Sequence, residues 1–132
     1  MKNYFLWSLG LFIFVTIGAW LSRKLSWYSD YWYADIILNS ISGVAFGIIW
    51  VGLNYKNKIS SLVILCIGTI SFSVFGSVLW EFLEFSLWKL NPSADYFYIP
   101  GLGDTLLDIL CGAFGGIVSC LLFKTKYFQI TQ

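Results

Sequence analysis

Two stretches of this sequence carry oxygen ligands at helical spacing. Residues 104 to 116 read DTLLDILCGAFGG, and residues 35 to 47 read DIILNSISGVAFG. Aligned on their first aspartates, Asp35 matches Asp104, Asn39 matches Asp108, Gly43 matches Gly112 and Gly47 matches Gly116. A spacing of four sets each group along one helix face, two polar residues in the first turns and two glycines further in. A third stretch, WEFLEFSLWKLNP at residues 80 to 92, adds Glu81 and Glu84 three positions apart, again on one face. Clustered carboxylate and amide oxygens suit a hard divalent cation, Mg²⁺, Mn²⁺ or Ca²⁺, with Glu81, Glu84, Asp104 and Asp108 as the candidate ligands. An enzymatic variant would use the metal with a carboxylate base, Glu81 or Asp108, to activate water or a hydroxyl; the spacing is compatible with such chemistry without being its signature. The three cysteines, Cys66, Cys111 and Cys120, form no C-x-x-C pair and the chain has no histidine. That argues against a zinc site or a Cys/His nucleophile, and the cysteines read as small packing residues.

The elements that must position these groups are membrane spans. Of 132 residues, 58% are hydrophobic, 20% aromatic and 11% charged, and the mean hydropathy is +0.76, well outside the range of soluble domains. Apolar runs near 4–22, 35–53, 59–80 (continuing to about 90) and 105–123 each reach the roughly 20 residues that a helix needs to cross a bilayer. Their continuity, without the alternation of barrel strands, predicts an all-α protein, one integral-membrane domain over 1–132 built as a four-helix bundle. The first run follows Lys2 but lacks a small-residue cleavage pattern and ends at Arg23-Lys24, so an uncleaved helix is favoured over a signal peptide. With four spans, Lys2, Lys56, Lys58, Lys124 and Lys126 share one side and Arg23, Lys24 and Lys89 the other, which points to both termini in the cytoplasm of a cell whose inner membrane holds the chain. Aromatic residues Trp27, Tyr28, Tyr31, Trp32, Tyr33, Tyr96, Phe97 and Tyr98 mark the outer interface, and Asp30 and Asp95 read as solvated loop residues. A net charge of +1 offers no basic surface for nucleic acid.

Within that frame the two glycine stripes allow close helix approach. They lie two spans apart and run in the same direction, which fits two parallel two-helix repeats. Counting about 1.5 Å per residue from the inner lysines raises Glu81 about 35 Å, Asp104 about 30 Å and Asp108 about 24 Å, so the polar residues of three helices meet near the outer boundary. Several anions at one level require something positive: shared protons, the side chains of Arg23 and Lys24, or a metal ion. Duller roles remain open for each residue. Asp104, after PGLG, is placed to cap the fourth helix; Glu84 is placed to reach the interface; Glu81 is placed to pair with Arg23. Asp108, a full turn further in, is no cap.

The order of these motifs resembles the VanZ-like and YjdF-like families of small bacterial membrane proteins: D-x-x-x-N opening the second helix, E-x-x-E ending the third, and PGLGDTLLDILCGAFGG opening the fourth. The resemblance covers about two thirds of the chain and falls on Asp35, Asn39, Glu81, Glu84, Asp104, Asp108 and Gly112. Asn39 stands where those families often carry histidine, and YIPGLGD lacks the basic residue that VanZ-like proteins tend to carry before the last motif. The resemblance implies a cell-envelope setting and, through VanZ-like proteins, a glycopeptide response. Three readings follow. One is an outward-facing acidic pocket for a divalent cation, an anionic lipid or glycolipid headgroup, or both, with Asp35, Asn39, Glu81, Glu84, Asp104, Asp108, Arg23 and Lys24 as the binding set. Another is a cation or proton channel, completed by a homodimer. The last is a non-catalytic subunit of a membrane complex.

Overall fold

A backbone crossing lipid has no water to bond, so a continuous apolar run satisfies its N–H and C=O groups by coiling on itself. In the computed structural model the chain forms α1 (Lys2–Lys24), α2 (Tyr33–Asn54), α3 (Leu62–Leu90) and α4 (Leu102–Ile130). The described residues are 2–25, 31–54, 61–90 and 101–130, without the side chains of Lys2, Arg23 and 124–130. All four helices are long and apolar enough to cross a membrane, over Asn3–Ser22, Tyr33–Asn54, Leu62–Leu90 and Leu102–Phe123.

The start of α4, three residues before the expected one, changes the role of Asp104. Gly101 has φ 117°, which a side chain would resist. Its carbonyl accepts the N–H groups of Asp104 (3.1 Å) and Thr105 (3.3 Å). The helix therefore begins at Leu102 and Gly101 takes the cap position. Asp104 is already in the first turn, where an anion is favoured by the helix dipole but is not the cap.

The bundle is built inside-out relative to a soluble one. Its large apolar side chains face outward, with Leu90 83%, Trp32 73% and Trp7 72% exposed, while the buried set includes Ala45, Ser8, Thr69, Ser73 and Ser119. Lipid solvates the outer leucines as well as a core would, so association falls to close packing and hydrogen bonds. The glycines supply the packing. A Cβ on Gly43 would come within 2.8 Å of the Gly112 Cα, one on Gly115 within 2.6 Å of the Val44 nitrogen, and one on Gly47 within 2.5 Å of the Ser119 Cβ. Gly116 faces α3, where a Cβ would meet the Ile70 Cα at 2.8 Å. The α2 stripe thus lies on α4, and α4 turns Gly115 toward α2 and Gly116 toward α3.

Hydroxyls supply the hydrogen bonds. Three successive carbonyls of α2 each accept one from a different helix: Gly43 from Ser73 of α3 (2.7 Å), Val44 from Ser119 of α4 (2.9 Å) and Ala45 from Ser8 of α1 (3.0 Å). These serines tie every neighbour to α2. Replacing Ser73 with alanine is expected to cost about 0.6 kcal/mol, typical of interhelical bonds in lipid. Reversible unfolding in mixed micelles would read it, and a loss above about 2 kcal/mol would show that Ser73 does more than bond one carbonyl.

Among the described residues, backbone contacts link α2 with each of the other helices and α3 with α4, whereas those of α1 run to α2 alone, with the Tyr4 ring reaching Phe123 of α4 at 5.6 Å between centroids. The equivalent glycines Gly43 and Gly112 meet, as paired repeats would place them, yet the two halves pack differently because α3 touches both α2 and α4. A slot is left between α1 and α3.

Two of the three cysteines do not act as packing residues. Cys66 of α3 and Cys120 of α4 form a disulfide, with Cα atoms 5.1 Å apart, and Cys111 is free and buried. Sequence separation of 54 residues hides such a bond from any spacing rule, and helix packing creates it by facing α3 with α4. Alkylation of the denatured, unreduced chain is expected to label one cysteine, and labelling after reduction three. Three labels without reduction would exclude the bond.

Candidate functional site

The N-terminal ends of α2 and α4 lie side by side because the glycine contacts below hold the two helices together. This arrangement turns two sequence stripes into one cluster. Ligand oxygens of Asp35, Asp104 and Asp108 all lie within 4.8 Å of one another. Asp35 and Asp104 sit in the first turns of their helices, where aligned peptide dipoles favour negative charge. Asp108, one turn deeper, is 5% exposed.

From α3, Glu81 completes the arrangement. Its Oε2 accepts a hydrogen bond from the Thr105 hydroxyl at 2.8 Å. Its carboxyl lies against that of Asp108, close enough for a hydrogen bond when one of the two is protonated, and Glu81 Oε1 and Asp108 Oδ1 are buried with no hydrogen-bond partner. The charged groups acting on Asp108 are Asp35, Asp104 and Glu81, all acidic. Buried oxygens without donors are costly, at about 1–3 kcal/mol each and more for charged groups. Either a proton or a cation among them removes that cost.

Beside the cluster, a cleft of about 200 Å³ occupies the slot between α1 and α3, with α2 as its floor. Leu38, Leu79 and Leu83 line its walls, and the Phe12 and Phe46 rings, 4.8 Å apart between centroids, close its inner end. Acidic and amide groups gather at the other end: Asp35, Asn39, Glu84 and Asp108. The remaining hydroxyls are committed to backbone, Thr16 to the Phe12 carbonyl (2.8 Å) and Ser42 to that of Asn39 (2.8 Å).

The expected residues are thus distributed in three ways. Asp104 and Asp108 join Asp35 in the tight group, with Glu81 against Asp108; Asp35 takes the place expected for Glu84 among candidate ligands. Asn39 and Glu84 line the cleft at the end where Asp35 and Asp108 also line it, and Glu84 is outside the tight group. Lys24 is not among the carboxylates: its ammonium lies 5.9 Å from the Trp20 ring centroid. The Arg23 side chain lies outside the described residues, as do Asp30, Asp95, Lys56, Lys58 and the aromatics at 27–28 and 96–98. Tyr31, Trp32 and Tyr33 are exposed at the start of α2, as an interfacial belt requires. Two contributors carried no distinctive sequence signal. Thr105 looked like one more first-turn residue, and Gly115 stood outside the four-residue stripe that singled out Gly112 and Gly116.

The chain is a membrane protein by its four candidate spans. No curated protein and no solved structure matches it. Residues 1–128 match a family described as "Predicted membrane protein (DUF2238)", and over that length the chain belongs to it.

Proposed function

We propose that this protein binds a hard divalent cation in the bilayer, at the end of the bundle where α2 and α4 begin, and through it the phosphate of an anionic lipid or glycolipid headgroup. The observation that carries the reading is Asp108: a carboxylate 5% exposed, with Oδ1 lacking any donor, inside a group of three aspartates with oxygens within 4.8 Å. Asp35, Asp104 and Asp108 are the ligands, and Glu81, anchored by Thr105, is the fourth oxygen source. Mg²⁺ and Ca²⁺ take six to eight oxygens and Mg²⁺ commonly pairs one or two carboxylates with phosphate, so positions remain for a headgroup. Five flanking lysines against three basic residues support an orientation with both termini cytoplasmic and the cluster at the outer leaflet of the inner membrane. Resemblance to VanZ-like proteins agrees with an envelope role.

A permeation path draws less support. Inward of the cluster, the buried hydroxyls of Ser73, Ser119 and Ser8 are committed to α2 carbonyls, and no aspartate or glutamate of α2, α3 or α4 lies inward of Asn39, Glu81 and Asp108. The test is the melting temperature of the purified protein against Mg²⁺, Mn²⁺ and Ca²⁺. A saturable rise with at least one ion is expected, because a ligand confined to the native state stabilises it. No rise with any of them would remove the proposal.

A further inference from the structure

The cleft between α1 and α3 is not needed to hold a metal ion, and its shape follows a different logic from the cluster. Its walls are mostly apolar, their Thr16 and Ser42 hydroxyls already bonded to backbone; its acidic groups are confined to one end, and that end is shared with the metal candidates through Asp35 and Asp108. It also lies along a side of the bundle that faces lipid. Backbone contacts are absent between α1 and α3 among the described residues, and the residues flanking the slot are exposed, with Leu79 50%, Leu83 46% and Trp80 39% accessible. An aqueous metal ion has no use for a trench of this kind.

We infer that the cleft holds the first part of an alkyl chain of a phospholipid whose phosphate sits at the Asp35–Asp104–Asp108 cluster, the lipid entering sideways between α1 and α3. The inference rests on the metal-bridged headgroup reading and names its ligand class: a phosphate-bearing lipid, not a free phosphate. Size agrees. A cleft of about 200 Å³ admits a chain segment of several methylenes, which the Phe12–Phe46 pair stops at its inner end. Charge agrees as well. Bare carboxylates repel phosphate, so the cation is the element that makes an acidic rim complementary to an anionic lipid, while the apolar walls give a chain what a water-filled slot would lack. Gly76 sets the width: a side chain there would collide with the Phe46 ring, so glycine lets that ring lie against α3 and floor the cleft.

Two substitutions close the trench from opposite rims without touching the aspartates. Thr16→Phe fills it from an exposed position on α1, and Leu83→Trp from α3. The experiment is native mass spectrometry of the protein in mild detergent with added phosphatidylglycerol and Mg²⁺, run beside Mg²⁺-dependent melting. Wild type is expected to retain one phosphatidylglycerol, and chelation to release it. Thr16→Phe and Leu83→Trp should cut retention at least tenfold while keeping the Mg²⁺-dependent rise in melting temperature. Wild-type retention in both variants, with that rise intact, would overturn the cleft and leave the metal site standing. Absence of any metal-dependent rise in wild type would sink the metal reading itself, and retention that survives chelation would overturn the bridged headgroup.

Discussion

Gly43→Leu is expected to abolish the folded bundle. A single Cβ at that position comes within 2.8 Å of the Gly112 Cα and presses still harder on its carbonyl oxygen. Both obstructions are backbone, so no side-chain rotation relieves them, and α2 must move off α4. Separation then breaks the Ser119 bond to the Val44 carbonyl and the Ser73 bond to that of Gly43. Overpacking of this kind costs typically 1–3 kcal/mol in a yielding core, and here about 3 kcal/mol is a floor because backbone is involved. Gly10→Leu is the control, since nothing lies within 4 Å of a Cβ there; it should melt at or slightly above wild type, because glycine inside a helix costs about 0.5–1 kcal/mol against alanine. Size-exclusion profiles and circular dichroism melts in the same detergent decide it. A monodisperse Gly43→Leu protein melting near wild type would mean that α2 and α4 are not in backbone contact.

The second large effect is a reversal of sign at Asp108. Without metal, Asp108→Asn should be more stable than wild type by about 1 kcal/mol or more: the amide removes one anion from a group of acids and offers Glu81 Oε1 the donor it lacks. With metal the order inverts. Wild type gains about 2.7 kcal/mol when the free ion is a hundredfold above its Kd, and the variant, lacking its deepest ligand, gains little. Two melting curves per protein, with and without Mn²⁺, test this. If Asp108→Asn is less stable than wild type under both conditions, Asp108 is a structural residue and the crossing prediction fails.

Much of the fold was legible because lipid imposes simple rules on sequence. Four uninterrupted apolar runs leave no alternative to four helices, and the spacing of Gly43 and Gly47 by four marked the face of α2 that lies on α4, whereas the Gly112 and Gly116 stripe of α4 turns to α3 and Gly115 meets α2 instead. The same spacing placed Asp35 and Asp104 in the first turns of two helices that run in the same direction, and in the structure they converge there. What was hidden depends on rotation and start point. Asp104 looked like a cap because glycines precede it; Gly101 ends up in that role since its positive φ lets the helix begin earlier. Glu81 and Glu84 both entered the expected ligand set on their shared face, but the rotation of α3 turns Glu81 to Thr105 and Asp108 and leaves Glu84 along the cleft. The pairing of Cys66 with Cys120 needed the facing of α3 and α4, which no local pattern encodes. The cleft was likewise invisible, being a consequence of α1 packing on α2 and not on α3.

The most direct test counts the metal itself. Titrating detergent-solubilised protein with Mn²⁺ and following the free ion by electron paramagnetic resonance reports bound ion without depending on stability. One tightly bound Mn²⁺ per chain in wild type, lost in Asp108→Asn and displaced by excess Mg²⁺ or Ca²⁺, is the predicted result. A titration in which wild type and Asp108→Asn leave the same amount of Mn²⁺ free at every concentration would contradict the assignment of Asp35, Asp104 and Asp108 as a cation site.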